Sequence, residues 1–445
     1  MGYVIMAGQL MLSLSILIVL HEMGHFLPAR FFGTRVEKFY LFFDPWFSLF
    51  KKKIGETEYG IGWLPLGGYV KISGMIDESF DTEQMAQEPQ PWEFRSKPAW
   101  QRLIIMLGGV TVNFILGFLL YAMVLFVWGE EYLPTENAVY GIHADSLGVE
   151  IGLQSGDHIL AIGGQPFDKF SDRTLLRAII INDAKTITIE RNGQEQTINI
   201  RPEFARILSS HENKDRYLFI PRTPFVVEQV AEDSPADKAG IMANDSIIAV
   251  NGAPTPYYDQ FIDMVLPNPG KTLTVSLVRG GQEKDVTLTT TDEGKIGVYR
   301  YRPSRFLTYE RQDYTLAQAL PAGVAAGWGF LSDQVKAFGQ MFSGRIKASD
   351  SLGGFASIGR MFGDEWNWER FWKMTAILSL ILAFMNLLPI PALDGGHVMF
   401  LLYEVVSGRK PSDKFMEYAT MVGFILVIGL VLYANGLDIL RWFRG

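Results

Sequence analysis

Four stretches of the chain are almost purely apolar. They run from Tyr3 to about Phe26, from Leu103 to Trp128, from Phe371 to about Leu388, and from Ala419 to Tyr433 on towards Trp442 and Phe443. About 20 apolar residues in a helix cover the hydrocarbon thickness of a bilayer, so each stretch predicts a membrane span. The second has no charge and ends in Trp128, a residue type that anchors spans at the interface. The first and third are short and polar for spans, as helices surrounded by other helices rather than by lipid can be. Between the second and third, the pattern changes to short alternating runs broken by glycine turns, which predict strands. The chain therefore reads as an α-helical membrane core of four transmembrane helices split by a folded α+β region.

That α+β region repeats itself. Asp145-Ser146-Leu147 through Gly164-Gln165-Pro166 aligns with Asp233-Ser234-Pro235 through Gly252-Ala253-Pro254 at a constant offset of 88 residues. Gly152 matches Gly240, Asp157 matches Asp245 and Ile159 matches Ile247. A strand pair with a short glycine turn follows each copy, around Arg191-Asn192-Gly193 and Arg279-Gly280-Gly281. The pattern of a small residue, Gly-Leu, Gly-Asp and a β-branched run resembles the PDZ domain, which accepts an extended peptide as an added strand. The first copy departs from it, with Leu147 where proline is usual.

Two connecting segments carry their own patterns. From Glu56 to Gly74, Gly60, Gly62, Gly67 and Gly68 interleave with apolar and β-branched residues, which predicts a strand-turn-strand hairpin. Close to the spans, such a hairpin is either a re-entrant β element with a strand edge facing the site, since non-helical backbone at membrane depth must line a cavity or be buried in protein, or an ordinary cytoplasmic hairpin. From Thr315 to Phe342, Val324, Trp328, Leu331, Val335, Phe338 and Phe342 recur at alternating spacings of four and three. This predicts an amphipathic helix lying on the membrane face or docked on the repeats.

Composition adds limits. Of 445 residues, 48% are hydrophobic and 20% charged, too polar for a protein made only of spans. A net charge of −8 gives no nucleic-acid signal, and the absence of cysteine excludes disulfides and thiol chemistry. The first apolar stretch has no basic n-region and no small-x-small site, so a retained span is expected rather than a cleaved signal peptide. The loop from Ala29 to Arg102 carries ten lysines and arginines, Lys51-Lys52-Lys53 among them. The positive-inside rule places it in the cytoplasm, with both termini and the Gly129–Arg370 region outside.

The candidate chemistry sits in the first apolar stretch, at His21-Glu22-Met23-Gly24-His25. A helix puts residues four apart on one face, so both imidazoles can reach one metal ion, with Glu22 beside them as a general base for water. Ionisable groups at membrane depth are costly and usually functional. A catalytic zinc usually takes three protein ligands. The metzincin extension would need Gly at 28 and His at 31, where the chain has Pro28 and Phe31. His143, His158 and His211 belong to the repeat region. The remaining candidates are Asp394 and His397, after Pro389, Pro391 and the end of the third span, with Asp44, Glu56 and Glu58 as weaker options.

A His-Glu-x-x-His in a first span, a downstream Asn386-x-x-Pro-x-Pro-x-Leu-Asp394-Gly and two interposed PDZ-like repeats together resemble the site-2 protease family of M50-type intramembrane zinc metalloproteases, in its bacterial two-PDZ form. The resemblance covers nearly the whole chain. It implies one Zn²⁺, Asp394 as the third ligand after His21 and His25, and Glu22 as the catalytic base. It also implies that Asn386 hydrogen-bonds the substrate backbone or oxyanion, and that Leu66-Gly67-Gly68-Tyr69-Val70 is the re-entrant element, with Gly67, Gly68 and Tyr69 holding unwound substrate. One departure is Gly109-Val110-Thr111-Val112-Asn113, where the family's pattern has a proline after the glycine.

The implied organisation is a membrane half-core over 1–128, PDZ-like domains over 129–212 and 213–304, an amphipathic connector over 305–370, and a second half-core over 371–445. The implied function is regulated intramembrane proteolysis in the cell inner membrane, with the PDZ-like pair on the periplasmic side filtering substrates by size. Single-span proteins such as anti-sigma factors, or remnant signal peptides, would be the substrates, with lipid and no nucleic acid as the other contacts. Two rivals stand against this. A non-catalytic PDZ scaffold leaves Glu22 unexplained, and a zinc transporter fits poorly with four spans and a general base.

Overall fold

The computed structural model describes residues 1–65, 67–75, 88–213 and 216–444. Its contacts divide the chain into two units. One comprises Met1–Gly129, Asp313–Val335 and the chain from Ser351 onward, the other Glu130–Gln312 with Lys336–Asp350.

Four helices of the first unit are long and apolar enough to cross a membrane: α1 (Gly2–Phe31), α2 (Ala99–Trp128), α3 (Trp368–Leu387) and α5 (Asp413–Arg444). Between the last two lies a shorter helix, α4 (Asp394–Ser407). The polar character of α1 and α3 is absorbed inside the bundle. Thr375 Oγ1 donates to Ser13 Oγ at 3.0 Å, and Ser379 Oγ donates to the Asn113 carbonyl at 2.7 Å. Small residues set the helix crossings: a Cβ on Gly24 would overlap the backbone of Gly108 and Gly109, and one on Gly323 would overlap Ala122. In the Leu316–Phe342 helix, the buried positions are Ala319, Gly323, Gly327 and Leu331. The bulky stripe of Val324, Trp328, Val335 and Phe342 is exposed, so the small residues make the packing face.

The same unit holds a four-stranded sheet of β1 (Val36–Leu41), β2 (Phe43–Ile54), β3 (Thr57–Leu64) and β4 (Tyr69–Ile72), in the order β2-β3-β1-β4. The expected strands within Glu56–Gly74 are present as β3 and β4, but they do not form a hairpin. β1 lies between them, parallel to β3 and antiparallel to β4, while β3 takes β2 as its hairpin partner. The run from Val36 to Ile54 hides two strands, because its aromatic density obscures alternation and Pro45 interrupts it. Leu66 lies outside the described residues.

In the second unit, each repeat copy builds an antiparallel sheet. Thr186–Arg191 lies between Gln194–Asn199 and His158–Ile162, and Thr272–Arg279 lies between Gln282–Thr289 and Ser246–Val250. Ile159, Ile187 and Ile189 centre one core, and their counterparts Ile247, Val275 and Leu277, each 88 residues on, centre a separate one. The repeat also preserves a polar clamp. Arg191 donates to both oxygens of buried Asp157 and to the Gly152 carbonyl, while Gln154 N–H donates to the same carboxylate. Arg279, Asp245, Gly240 and Met242 reproduce every one of these bonds. Burial raises the Asp245 pKa, but the Arg279 and Met242 hydrogen bonds outweigh it and hold the carboxyl below its ordinary value.

A depressed folded pKa contributes stability above the unfolded value, about 3.9, that is lost as pH falls through the folded one. Asp245→Asn is therefore expected to destabilise the second repeat by about 3 kcal/mol at neutral pH. In limited proteolysis of the full chain across pH, the gap between wild type and variant should narrow below about pH 4. An equal gap at pH 7 and pH 2 would contradict an ionic clamp.

Candidate metal centre

Helix α1 presents His21 and His25 on one buried face, as their spacing requires. Asp394 reaches them from another direction. Helix α3 ends at Leu387, the chain turns through Pro389 and Pro391, and α4 begins at Asp394. Gly395 and Gly396 let that turn fold back closely: a Cβ on either would overlap carbonyls of Leu387, Leu388 or Ile390. Ala392 takes a φ of 99°, a conformation that L-residues rarely adopt, two residues before the carboxylate. Such strain tends to be kept where a side chain must be aimed.

The three donor atoms form a nearly equilateral triangle. His21 Nε2 and His25 Nε2 are 3.3 Å apart, and each is 3.3 Å from Asp394 Oδ2. Ligand atoms about 2.0–2.1 Å from a tetrahedral zinc stand roughly 3.3–3.4 Å from one another, so the donor set fits that ion without rearrangement. Asp394 Oδ2 is buried without a hydrogen bond, an expensive position for a carboxylate oxygen unless a cation completes it.

Behind the triangle, α2 orients the rings. His25 Nδ1 lies 2.8 Å from the Ile105 carbonyl, so it carries the proton and donates, leaving Nε2 as a lone pair. His21 Nδ1 faces the Asn113 amide, with Nδ2 at 3.1 Å, while Asn113 Oδ1 is buried without a partner. Turning that amide over places Oδ1 against a proton on Nδ1, which satisfies the orphaned oxygen and frees Nε2 of His21. Gly109 makes room for both rings, since a Cβ there would overlap His25 Nε2 and the His21 ring. Helix α2 runs unbroken from Ala99 to Trp128, with Val110 inside it.

Glu22 sits beside the pair and takes a hydrogen bond from the backbone of Val70. Gly68 rests against Ile18 and Glu22, so the start of β4, the terminal strand of the sheet, lies alongside that carboxylate. Gly67, at a φ of 150°, packs on the Phe43 ring. The Tyr69 phenol points elsewhere, donating to Asp44 at 2.8 Å and stacking on Tyr40. Asn386, at the end of α3, places its Nδ2 3.3 Å from His21 Nε2.

Not every sequence candidate arrives. Asp44 is held by Tyr69 and Ser48, Glu58 by Tyr40, and Glu56 pairs with Arg30. Among the described residues, His21, His25 and Asp394 are the group whose donor atoms converge, and His397 is not in it. The roles of Asn113, Ile105 and Gly109 were not read from the sequence. Their signal was the pair Gly108-Gly109 four residues before an asparagine, in an otherwise bulky span.

Such a donor set inside apolar helices, with a carboxylate held just outside it, describes a membrane metallohydrolase. The model of peptidase family M50 matches residues 9–430, and the chain belongs to that family. Regulator of sigma-E protease RseP of Escherichia coli is 31% identical over 96% of this chain and 97% of its own length. Regulator of sigma E protease of Haemophilus influenzae is 28% identical over 99% of this chain and all of its own length. A Neisseria meningitidis protein with a provisional zinc-metalloprotease name is 27% identical over 96% and 97%. The chain is a zinc metalloprotease of the site-2 type.

Proposed function

We propose that this protease hydrolyses peptide bonds within or next to the transmembrane segments of single-span membrane proteins, using one zinc held by His21, His25 and Asp394. The triangle of 3.3 Å separations among their donor atoms carries the reading. Zinc, when bound, acidifies a water molecule and polarises the carbonyl it faces. Glu22 accepts the water proton as the water oxygen bonds to the scissile carbonyl carbon. It then delivers that proton to the amine nitrogen as the carbon–nitrogen bond breaks. The Asn386 amide donates to the substrate backbone or to the oxyanion.

A transmembrane helix hides its carbonyls, so substrate must unwind before it reacts. β4 is the terminal strand of the sheet and runs beside Glu22, and an unwound segment can join its open edge as an added strand. Gly67 and Gly68 keep that approach free of side chains. Tyr69, stacked and hydrogen-bonded inward, contributes backbone rather than phenol. The sheet is then the re-entrant element, and the two repeats are PDZ-like domains that select substrates by what remains outside the membrane. The basic Ala29–Arg102 loop favours a multi-pass inner-membrane protein with its site towards the cytoplasm and its repeats in the periplasm. The relatives named for sigma-E regulation favour an anti-sigma factor as substrate.

The purified chain in lipid discs is expected to cut a single-span reporter, to lose activity on treatment with a zinc chelator, and to regain it when zinc is returned. Undiminished cleavage after verified metal removal would overturn the mechanism.

A further inference from the structure

We infer that the β2–β3 hairpin is an anchor for anionic lipid, with the aromatic cluster at its open end, away from the Gly55-Glu56 turn, in the interface of the leaflet and Lys51, Lys52 and Lys53 gripping headgroup phosphates. The observation is an apolar surface that water does not explain. Trp46 is 91% exposed, Phe47 56%, Leu49 66% and Phe50 59%. Leu49 and Phe50 are neighbours in one strand and both stand open, so the exposure is not confined to one face. Contiguous exposed apolar residues of this size mark a contact with a membrane or a partner.

The cluster is built rather than loose. The Trp63 indole stacks with Trp46 at 6.1 Å and with Phe47 at 5.8 Å, and its Nε1 donates to the Pro45 carbonyl at 2.9 Å. Trp46 holds a φ of 71°, which a bulky residue adopts only when its surroundings enforce it. Tryptophan in such a cluster suits the headgroup boundary.

Charge then selects the occupant. Lys51, Lys52 and Lys53 follow directly and are exposed, and among the described residues none pairs with a carboxylate. The acidic groups at and beside the hairpin turn are already engaged, Glu56 with Arg30 and Glu58 with Tyr40. Three free ammonium groups beside an aromatic cluster complement an anionic lipid surface. Depth is limited by β2 itself. As the outer strand of the sheet it carries unpaired backbone groups, which hydrocarbon would penalise but hydrated headgroups can satisfy. Gripping lipid at this end would brace the sheet whose opposite edge, β4, lies beside Glu22.

The inference rests on the membrane reading of α1, α2, α3 and α5, and the test separates the two. Because the chain has no cysteine, Phe47→Cys gives a single attachment point for a nitroxide, and Ile115→Cys on the exposed side of α2 gives a reference. Both are measured in full-length protein in lipid discs, by collision with oxygen and with a water-soluble nickel chelate. With phosphatidylglycerol present, the label at 47 is expected to favour oxygen. In pure phosphatidylcholine, or with Lys51, Lys52 and Lys53 all changed to Gln, it should shift towards nickel. Three lysines near an anionic surface should give roughly a hundredfold headgroup preference. Nickel access at 47 in every lipid, an oxygen preference unaffected by the triple change, or shielding from both reagents would each overturn the anchor. Nickel access at 115 as well would overturn the membrane reading and the anchor together.

Discussion

Glu22→Gln is expected to reduce cleavage of a single-span reporter by about 10²–10⁴-fold while leaving the zinc content of the protein unchanged, because a positioned general base contributes that much. Glutamine has the same shape and can still occupy the place beside His21 and His25. The triangle made with Asp394 does not include residue 22, so the metal should remain. What is lost is the ability to take a proton from water and return it to the amine. The Val70 backbone hydrogen bond that positions Glu22 can also be accepted by the glutamine oxygen, so geometry is preserved as well. The measurement is the initial rate of reporter cleavage beside metal analysis of the same preparation. Equal cleavage by variant and wild type would remove Glu22 from the mechanism. A loss of zinc together with activity would show that residue 22 holds the site together instead of moving protons. A transporter reading predicts no cleavage by either protein, which the wild-type arm tests directly.

The sequence revealed chemistry more readily than architecture. A helix of fixed period fully determines that His21 and His25 share a face, so that pair was legible at once. The four apolar runs were legible for the same reason, as were the repeats, whose constant offset exposes Asp157 against Asp245. The Arg191 and Arg279 partners of these aspartates also stand 88 residues apart, but their bonds close across a sheet, and only folding shows that the arginines return to the carboxylates. The four-stranded β1–β4 sheet was the least legible part. Its central β1–β3 pairing is parallel and crosses a hairpin, so adjacency in sequence misleads, and the aromatic run from Phe39 to Phe50 conceals alternation. Asp394 against His397 is the intermediate case. Both lie on one turn of α4, and it is the strained Ala392 and the tight Gly395-Gly396 fold that aim the first at the histidines and not the second.

Asp394→Ala is expected to strip the protein of zinc, whereas His397→Ala should retain it. The triangle supplies three donors, and alanine at 394 leaves two imidazoles and a cavity, with no other carboxylate of Asp44, Glu56 or Glu58 near enough to substitute. Loss of a group that merely orients a ligand costs about 10–100-fold in metal affinity, so removal of a ligand itself should exceed that range. Asp394→Asn refines the comparison: it keeps the side chain's volume at the start of α4 but replaces an anion with a neutral amide, and zinc retention should fall nearly as far as with alanine. The readout is zinc per chain after dialysis against a graded series of chelator concentrations, with the reporter assay alongside. Zinc loss in His397→Ala but not in Asp394→Ala would transfer the third ligand to the histidine one turn further along the helix. Such a swap would require α4 to rotate and the Ala392 turn to relax, and the strain now held at Ala392 would then have no purpose beside the site.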